Sequence, residues 1–515
     1  MATEAEALRL VDALESELIR RRPAMEEADR YYRGQHPLRF ASDDFRQYHG
    51  ERYAGFSDNW TQVVGDSPVE RLGVKGLQAA GADRPDLELW RIWHVNGLDS
   101  ESQLGFLGAG NSGRTFVLVW GDPDDDETPE VTWEDARQCI VAYEPGSRRR
   151  RRAALKRWQD GEREFATLYL ASEVWKFERP MIGGHREKSH QAAAVDDAAS
   201  GLILPDGVRE RLTKWGVREV GDEPNPQPNP MGVVPMVELP NRPMLSGDPI
   251  SDVEGVIPMQ DAVNLVWSQL FVASDAASFP QRVILGAEMP KIPVLNSAGQ
   301  VIGHKPVDLQ RFAVDRVMWV TGKDARVANW PAADLEAYTK IIEVAVGHIA
   351  AQTRTPQHYL IGRMANLSGD ALKAAETGLV KRVEEKQVWL GQGLREVAHL
   401  IYLARGEDEK AKAMRAGRTL WIDSESRSQG QLADALLKLK TIGFPFAWLA
   451  DRWGLTPTEV ADVVRLQEEE ADRDPLATLA AMGGRPVGEP PPEDAGDEGV
   501  DASEETAGDG LPVAA

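Results

Sequence analysis

Three bases in one short segment are the most suggestive chemical group in this chain. Arg354, His358 and Arg363 lie among Tyr359, Leu360 and Met364 in TRTPQHYLIGRMANLS (353–368), a connector between two long helical candidates. Connectors of this kind often carry function, and exposed bases there can touch an anionic polymer; a plain connector with a few exposed cations fits the same residues. Elsewhere Arg148, Arg149, Arg150, Arg151 and Arg152, with Lys156 and Arg157, place seven cations in ten residues. Such a run can neutralise several phosphates. In a chain this acidic, a solvated loop or a contact with acids on a neighbouring copy is the better fit.

The other chemical patterns fail on context. Gly108-Ala109-Gly110-Asn111-Ser112-Gly113 satisfies G-x-G-x-x-G. A dinucleotide site needs a strand before it and a helix after it. Here a helical pattern precedes and the strand-like Thr115–Trp120 follows, so a tight turn into a strand is expected. Asp122, Asp124 and Asp126 alternate like the start of a calcium loop. The loop's glycine position holds Glu127, and its twelfth position, where a bidentate Glu is needed, holds Trp133. His185 and His190 have no accompanying cysteine pair or helical H-E-x-x-H. Neither G-x-x-x-x-G-K-[ST] nor G-x-S-x-G occurs. A metal-dependent hydrolase or nuclease would need two or three carboxylates converging on a metal, and no such set stands out. No catalytic residue, metal ligand or cofactor is assigned.

Composition sets the frame for these residues. The chain has 515 residues, 42% hydrophobic and 27% charged, with 15 Trp, which suits an ordered protein with a sizeable core. Lys plus Arg number 59 against 82 Asp plus Glu, for a net charge of −23. A general DNA-coating role is excluded by that balance. The single cysteine, Cys139, excludes an internal disulfide framework and a Cys-rich zinc module. There is no run of ~20 apolar residues to span a bilayer, and MATEAEALRLVDALESEL lacks a signal peptide's basic and apolar regions. A soluble, intracellularly made protein is expected. Residues 483–515, with nine acids and only Arg485 as a base, are rich in Pro and Gly and are expected to be disordered.

Periodicity then suggests the elements. Leu8, Val11, Leu14, Leu18 and Ile19 predict a first helix ending near Arg22, before Pro23, with a second short helix leading to Tyr31. Helices are expected over 59–72 and 85–107. Strands are expected at 114–120, 131–133, 139–143, 166–170 and 174–177. A Pro- and Asn-rich break, GDEPNPQPNP (221–230), precedes the extended segment VVPMVELPNRP (233–243). Long helices are expected over 252–278 and 332–352, the second with Leu335, Tyr338, Ile341, Ile342, Ala345 and Ile349 on one face. Strand-like pieces, RVILG and RVMWVTG, lie between them. Ser368 can cap a long helix over 369–405, striped by Leu372, Leu379, Val383, Leu390, Leu394, Val397 and Ile401, with Gly378, Gly391 and Gly393 as places to bend. Shorter helices are expected at 428–442 and 456–472.

Several stretches together resemble the portal, or head–tail connector, proteins of long-tailed actinobacterial bacteriophages. They are YYRGQHPLRF (31–40), NWTQVVGDSPVERLGVKGL (59–77), VIPMQDAVNLVWSQLFVASDAASFPQRVILG (256–286) and TRTPQHYLIGRMANLSGDALKAAETGLVKRVEEKQ (353–387). The resemblance implies an α+β portal fold. In it, 1–251 forms most of the wing and 252–279 the first stem helix. A small α/β clip follows at 280–331, then the second stem helix at 332–352 and the tunnel loop at 353–368. A long bent helix, 369–405, returns to the wing, 406–482 forms a helical crown, and 483–515 is the acidic tail. It further implies a homo-oligomeric ring, of twelve subunits in the family, at one capsid vertex. Double-stranded DNA passes through that ring without sequence preference. Implied partners are the terminase large subunit, the head–tail adaptor, and the major capsid and scaffold proteins, with assembly in the host cytoplasm and no membrane. Arg354, His358 and Arg363 become candidates for backbone contact with DNA. The other structural readings are a scaffold or a shell subunit. A scaffold would lack the β-rich segment at 114–177, and a shell protein would build sheets rather than one closed ring.

Overall fold

The structure is a computed structural model. It describes residues 2–43, 45–47, 58–125, 127–181, 214–221, 223–278, 334–362, 369–425 and 429–473; between 279 and 333 it describes 282–285, 291–295, 299–306, 317–320 and 326–329. His185, His190, Asp126, Arg363 and the tail at 483–515 lie outside the described residues. The fold mixes helix and sheet. Residues 1–457 make one compact unit, and residues 458–515 are a second.

The chain opens with α1 (Glu4–Tyr32), capped by Thr3, whose side chain accepts from the Glu6 amide while Glu6 reaches back to the Thr3 amide. Sequence periodicity puts a break at Pro23; instead the helix runs through it. Pro23 lies on the exposed side, as does Ile19, whose carbonyl loses its helical donor there. Leu14 and Leu18 before it, and Met25, Ala28 and Tyr31 after it, are buried and hold both halves on one axis. Next come α2 (Trp60–Val69), β1 (Val74–Gln78), α3 (Leu87–Val95) and α4 (Leu98–Ser112).

Strands β2 (Arg114–Trp120), β3 (Glu130–Glu134), β4 (Cys139–Tyr143), β5 (Arg151–Asp160), β6 (Arg163–Tyr169) and β7 (Glu173–Pro180) follow, then β8 (Gly216–Val217), β9 (Gln227–Pro228) and β10 (Met236–Pro240). β10, β2 and β3 form one antiparallel sheet. Strands β4 to β8 form a second in sequence order, with β9 also on β7. The N-terminal half of α1 lies across that second sheet, burying Ala7, Val11, Leu14 and Leu18 against Ile140, Leu155, Leu168 and Phe177. The sequence pattern predicts no strand at β5, because its cations hide a short continuous buried run, Ala153, Ala154 and Leu155.

A short 3-10 turn leads into α5 (Ile257–Ser278), with Pro258 in its first turn, where no amide partner is lost. Beyond it, β11 (Arg282–Leu285) pairs with β14 (Val317–Val320) and β15 (Arg326–Asn329), and β12 (Lys291–Leu295) with β13 (Val301–Pro306). The chain returns through α6 (Leu335–Thr353). On α6 the buried stripe is Ile342, Val346, Ile349 and Ala350, the first three packed with Val256, Val263 and Leu270. Ile341, expected on that stripe, is 54% exposed, because the contact face is set one residue further round.

After the short α7 (Gln357–Ile361) comes α8 (Gly369–Ala404), an unbroken helix. Leu379, Val383, Leu390, Leu394, Val397 and Ile401 are all buried, on the order of 2 kcal/mol each, and they seat α8 on β2 and β10. Its glycines mark close approaches. A Cβ at Gly393 would sit 2.6 Å from Leu239, and one at Gly378 3.3 Å from Arg354 Cβ. The remaining elements are α9 (Asp408–Arg415), β16 (Arg418–Trp421), α10 (Gln429–Thr441), α11 (Phe446–Trp453) and, largely in the second unit, α12 (Pro457–Arg473). β16 pairs antiparallel with β1, drawing the 418–421 segment into the N-terminal body.

Candidate functional site

The turn between α6 and α8 is built on a buried ionic hub. Asp252, just ahead of α5, accepts from Lys386 Nζ at 2.5 Å and pairs with Arg382 at 3.0 Å. Lys386 also donates to Asn241 Oδ1 at 2.5 Å, and Arg382 Nη1 donates to the Thr353 carbonyl at 3.0 Å. The Asn241 amide group donates in turn to Asp252 Oδ1 and the Ile250 carbonyl. Asp252 and Lys386 are almost wholly buried. Burial would raise the Asp252 pKa, but Lys386 and Arg382 outweigh it and hold the carboxyl well below the usual carboxylate range. Burial pushes the Lys386 ammonium down; Asp252 offsets this only in part, and the like charge of Arg382 adds to the downward push.

The glycine motif belongs to this hub. Gly108, Ala109, Gly110, Asn111 and Ser112 are the last residues of α4, and Gly113, at φ +79°, ends it and releases β2. The Asp252 amide donates to the Gly110 carbonyl, and a Cβ at Gly110 would stand 3.0 Å from Asp252 Oδ2. A side chain there would crowd the carboxylate that the two cations hold.

Arg354 sits in the left-handed region at φ 55°, an uncommon conformation for a residue with a side chain. It is held by Arg382 on the preceding carbonyl and by the close approach of Gly378. Its guanidinium is 55% exposed and lies 3.3 Å from Glu385. His358 is half-buried, edge-on to Tyr359. Helix α7 is tied down on both sides. Arg71 donates to Tyr359 Oη at 2.7 Å and pairs with Glu376, while Trp60 Nε1 donates to the Leu360 carbonyl. Of the three bases singled out in this segment, Arg354 and His358 thus lie on either side of one tight turn, and Arg363 is outside the described residues.

Beneath α5 the buried face is polar. The Trp60 amide donates to Gln260 Oε1, Gln260 Nε2 donates to Asn264 Oδ1, and Asn264 Nδ2 meets His36 Nδ1 at 3.0 Å. That chain makes His36 Nδ1 an acceptor and leaves its hydrogen on Nε2, which donates to the Tyr31 carbonyl at 2.8 Å. His36 is therefore neutral, and burial lowers its pKa. Tyr31 Oη donates to Asp261 at 2.5 Å.

The arginine run splits into two kinds of residue. Arg148, Arg149 and Arg150 stand exposed on the turn between β4 and β5. The others lie in β5 rather than in a solvated loop. There Lys156 pairs with Glu134 at 2.5 Å, and Arg157 with Glu164 at 2.6 Å and Glu15 at 3.1 Å, while Arg152 faces outward. Arg151 turns toward α8. At the β2–β3 turn, Asp122 and Asp125 accept from the amides of Asp124 and Glu127. Among the described residues, no three His, Cys, Asp or Glu side chains converge on a metal site, and no helix is long and apolar enough to cross a membrane.

Sequence reasoning missed the hub. The available signal was that Arg382 and Lys386 interrupt the apolar spacing Leu379–Val383–Leu390, charges on a face that otherwise buries itself. Their partner Asp252 lies far off in sequence, so no local pattern reveals it.

This geometry can be set beside known proteins. The portal protein of Mycobacterium phage L5 is 27% identical over 424 residues, covering 79% of this chain and 77% of that protein. The portal protein of Mycobacterium phage D29 is 26% identical over 424 residues, covering 79% and 78%. The family model described as phage portal protein, SPP1 Gp6-like, matches residues 12–444, which take in all the described sheets, α5, α6, the hub and α8. The chain belongs to the phage portal protein family.

Proposed function

We propose that copies of this chain close into a ring at one capsid vertex, through which double-stranded DNA is packaged and later ejected. The observation that carries this reading is the match over residues 12–444, which spans the whole excursion from Asp252 through α5 and α6 to α8. In this reading 1–251 is most of the wing, α5 and α6 are the stem, and the strands between them form the clip. The segment 353–368 is the tunnel loop, α8 returns to the wing, and 406–482 is the crown. The terminase large subunit and the head–tail adaptor dock on the ring, which sits among major capsid and scaffold proteins in a particle assembled in the host cytoplasm. No phosphate-binding loop motif occurs in the sequence, so the energy for packaging comes from the terminase.

Electrostatics supports a conduit rather than a clamp. A net charge of −23 repels phosphates spaced at one per ~1.7 Å along a duplex, so a stiff duplex slides instead of sticking. Arg354 and His358, on the turn, and Arg363, outside the described residues, are the candidate bases for transient contact with the DNA backbone.

The test has two stages. Negative-stain electron microscopy, with the mass in solution, should show closed rings with a hole wide enough for a duplex. Small oligomers without a hole, together with metal-dependent cleavage of DNA, would overturn the reading. Replacing Arg354, His358 and Arg363 by Ala should then alter packaging or DNA retention with rings intact; unchanged packaging would remove the loop from the account.

A further inference from the structure

Helix α8 presents opposite chemistries on two sides. At ~100° per residue, Trp389, Gln392 and Glu396 project roughly 150° away from Gln387 and Gly391. The first group lines a cleft of about 540 Å³ with Arg148, Arg149, Arg151, Arg395 and Arg415. Its two carboxylates are engaged: Glu238 by Arg114 at 2.7 Å and Tyr143 Oη at 3.0 Å, and Glu396 by Arg415 at 2.9 Å. Arg151 is only 11% exposed, yet it reaches Glu396 at no closer than 3.8 Å and makes no side-chain hydrogen bond among the described residues. Arg148 and Arg149 have no ion-pair partner among the described residues. A half-buried guanidinium with one distant carboxylate, beside two exposed ones without an ion-pair partner, leaves the cleft with room for further acceptors.

The other side of α8 carries β16. Gln387 donates to the Ile422 carbonyl, and Thr419 donates to the Gly391 carbonyl at 3.1 Å. Just beyond, Glu70, Asp423 and Glu425 line a second cleft, of about 330 Å³, beside Ile422, which is 49% exposed; Arg71 lines it too, but its guanidinium is taken up by the Ser424 carbonyl, Tyr359 and Glu376. One side is thus cationic and under-supplied with acceptors, and the opposite side is acidic.

We infer that the arginine cleft of one copy receives carboxylates from the Glu70–Asp423–Glu425 edge of the next copy around the ring. A cyclic ring joins two different surfaces of each subunit head to tail, and these two face away from each other across one helix. Guanidinium groups take carboxylates in a forked, paired geometry that suits single side chains entering a cleft. A phosphate backbone fits less well, because Glu238 and Glu396 already line the wall. The inference rests on the ring reading above and specifies the contact that closes it.

The test is charge reversal with rescue, read as the fraction of chain in rings by mass photometry. R148E/R149E and E70K/D423K/E425K should each lower that fraction about tenfold or more, since like charges face each other at the joint. The combined variant should recover to within about twofold of wild type. In parallel, R149C/E425C treated with a short bis-maleimide should give covalent ladders beyond the dimer, with neither single variant doing so; Cys139 is buried and silent. The ladder decides the matter if a reversal variant fails to fold. Normal rings in both one-sided variants, no rescue in the combined one, or no ladder overturns the contact. Intact rings with lost DNA binding in R148E/R149E overturn it in favour of a phosphate site. If the wild type forms no rings, the ring reading itself fails, and this contact with it.

Discussion

Replacing Asp252 by Asn keeps the shape and one acceptor of the side chain but removes the charge that Arg382 and Lys386 share. Both cations are buried, so the substitution leaves two uncompensated charges, a loss of about 3–5 kcal/mol. Lys386→Met is milder. It forfeits bonds to Asp252 and Asn241, yet the Arg382–Asp252 pair survives and the burial cost of an ammonium disappears, for a net loss of about 1–2 kcal/mol. Combining the two should cost about 2 kcal/mol less than their sum, because Lys386 is itself the group that D252N strands. Urea unfolding followed by tryptophan fluorescence measures all three, with an unchanged denaturant slope as the condition for comparison. The pH dependence has a definite sign. The folded-state pKa of Asp252 lies below the unfolded one, so its stabilisation is complete above about pH 4 and is lost as pH falls through the folded value. A D252N loss under about 1 kcal/mol, or additivity within about 0.5 kcal/mol, would refute the hub as a coupled unit.

Gly393→Ala should destabilise by about 1–3 kcal/mol, since its Cβ would meet Leu239 at 2.6 Å, whereas Gly430→Ala, which meets open space near the start of α10, should be neutral or gain up to about 1 kcal/mol; thermal melts of both check the packing account. His36 has its folded pKa below the unfolded value of about 6.5, so its stabilisation is complete above that pH and falls as protonation removes the acceptor for Asn264; the drop in melting temperature from pH 7.5 to 5.5 should be smaller in His36→Phe, and an equal drop would remove His36 from the explanation. Tyr359→Phe removes the hydroxyl that receives Arg71, at about 1 kcal/mol, and amide exchange across 357–361 should quicken about fivefold; no change would mean Trp60 alone holds the turn.

Local pattern was a good guide wherever one face of an element decides its fate. The strand run Arg114–Trp120 and the tract Cys139–Tyr143 form with the expected ends, and α8 stops one residue short of its expected end. Pattern misled where a distant contact overrides a local rule. Pro23 reads as a stop, but buried side chains on both sides of it outweigh one missing hydrogen bond. The run Arg148–Arg157 reads as one charged stretch, yet the turn and the strand divide it between solvent, α8 and carboxylates of α1, β3 and β6. At the candidate site, Arg354 and His358 were found by residue type and position. Asp252, Asn241, Arg382 and Lys386 were not, because a buried ionic cluster assembled from separate parts of the chain leaves no periodic trace.

One side chain grips both ends of the excursion formed by residues 252–353: Arg382 holds the Asp252 carboxylate where the chain leaves the body and the Thr353 carbonyl where it returns, each at 3.0 Å. The body therefore meets this insert at a fixed socket whose shape does not depend on what lies further out. Both anchor points answer to one guanidinium, so a change in the strands and turns between them leaves exit and return in register on Arg382.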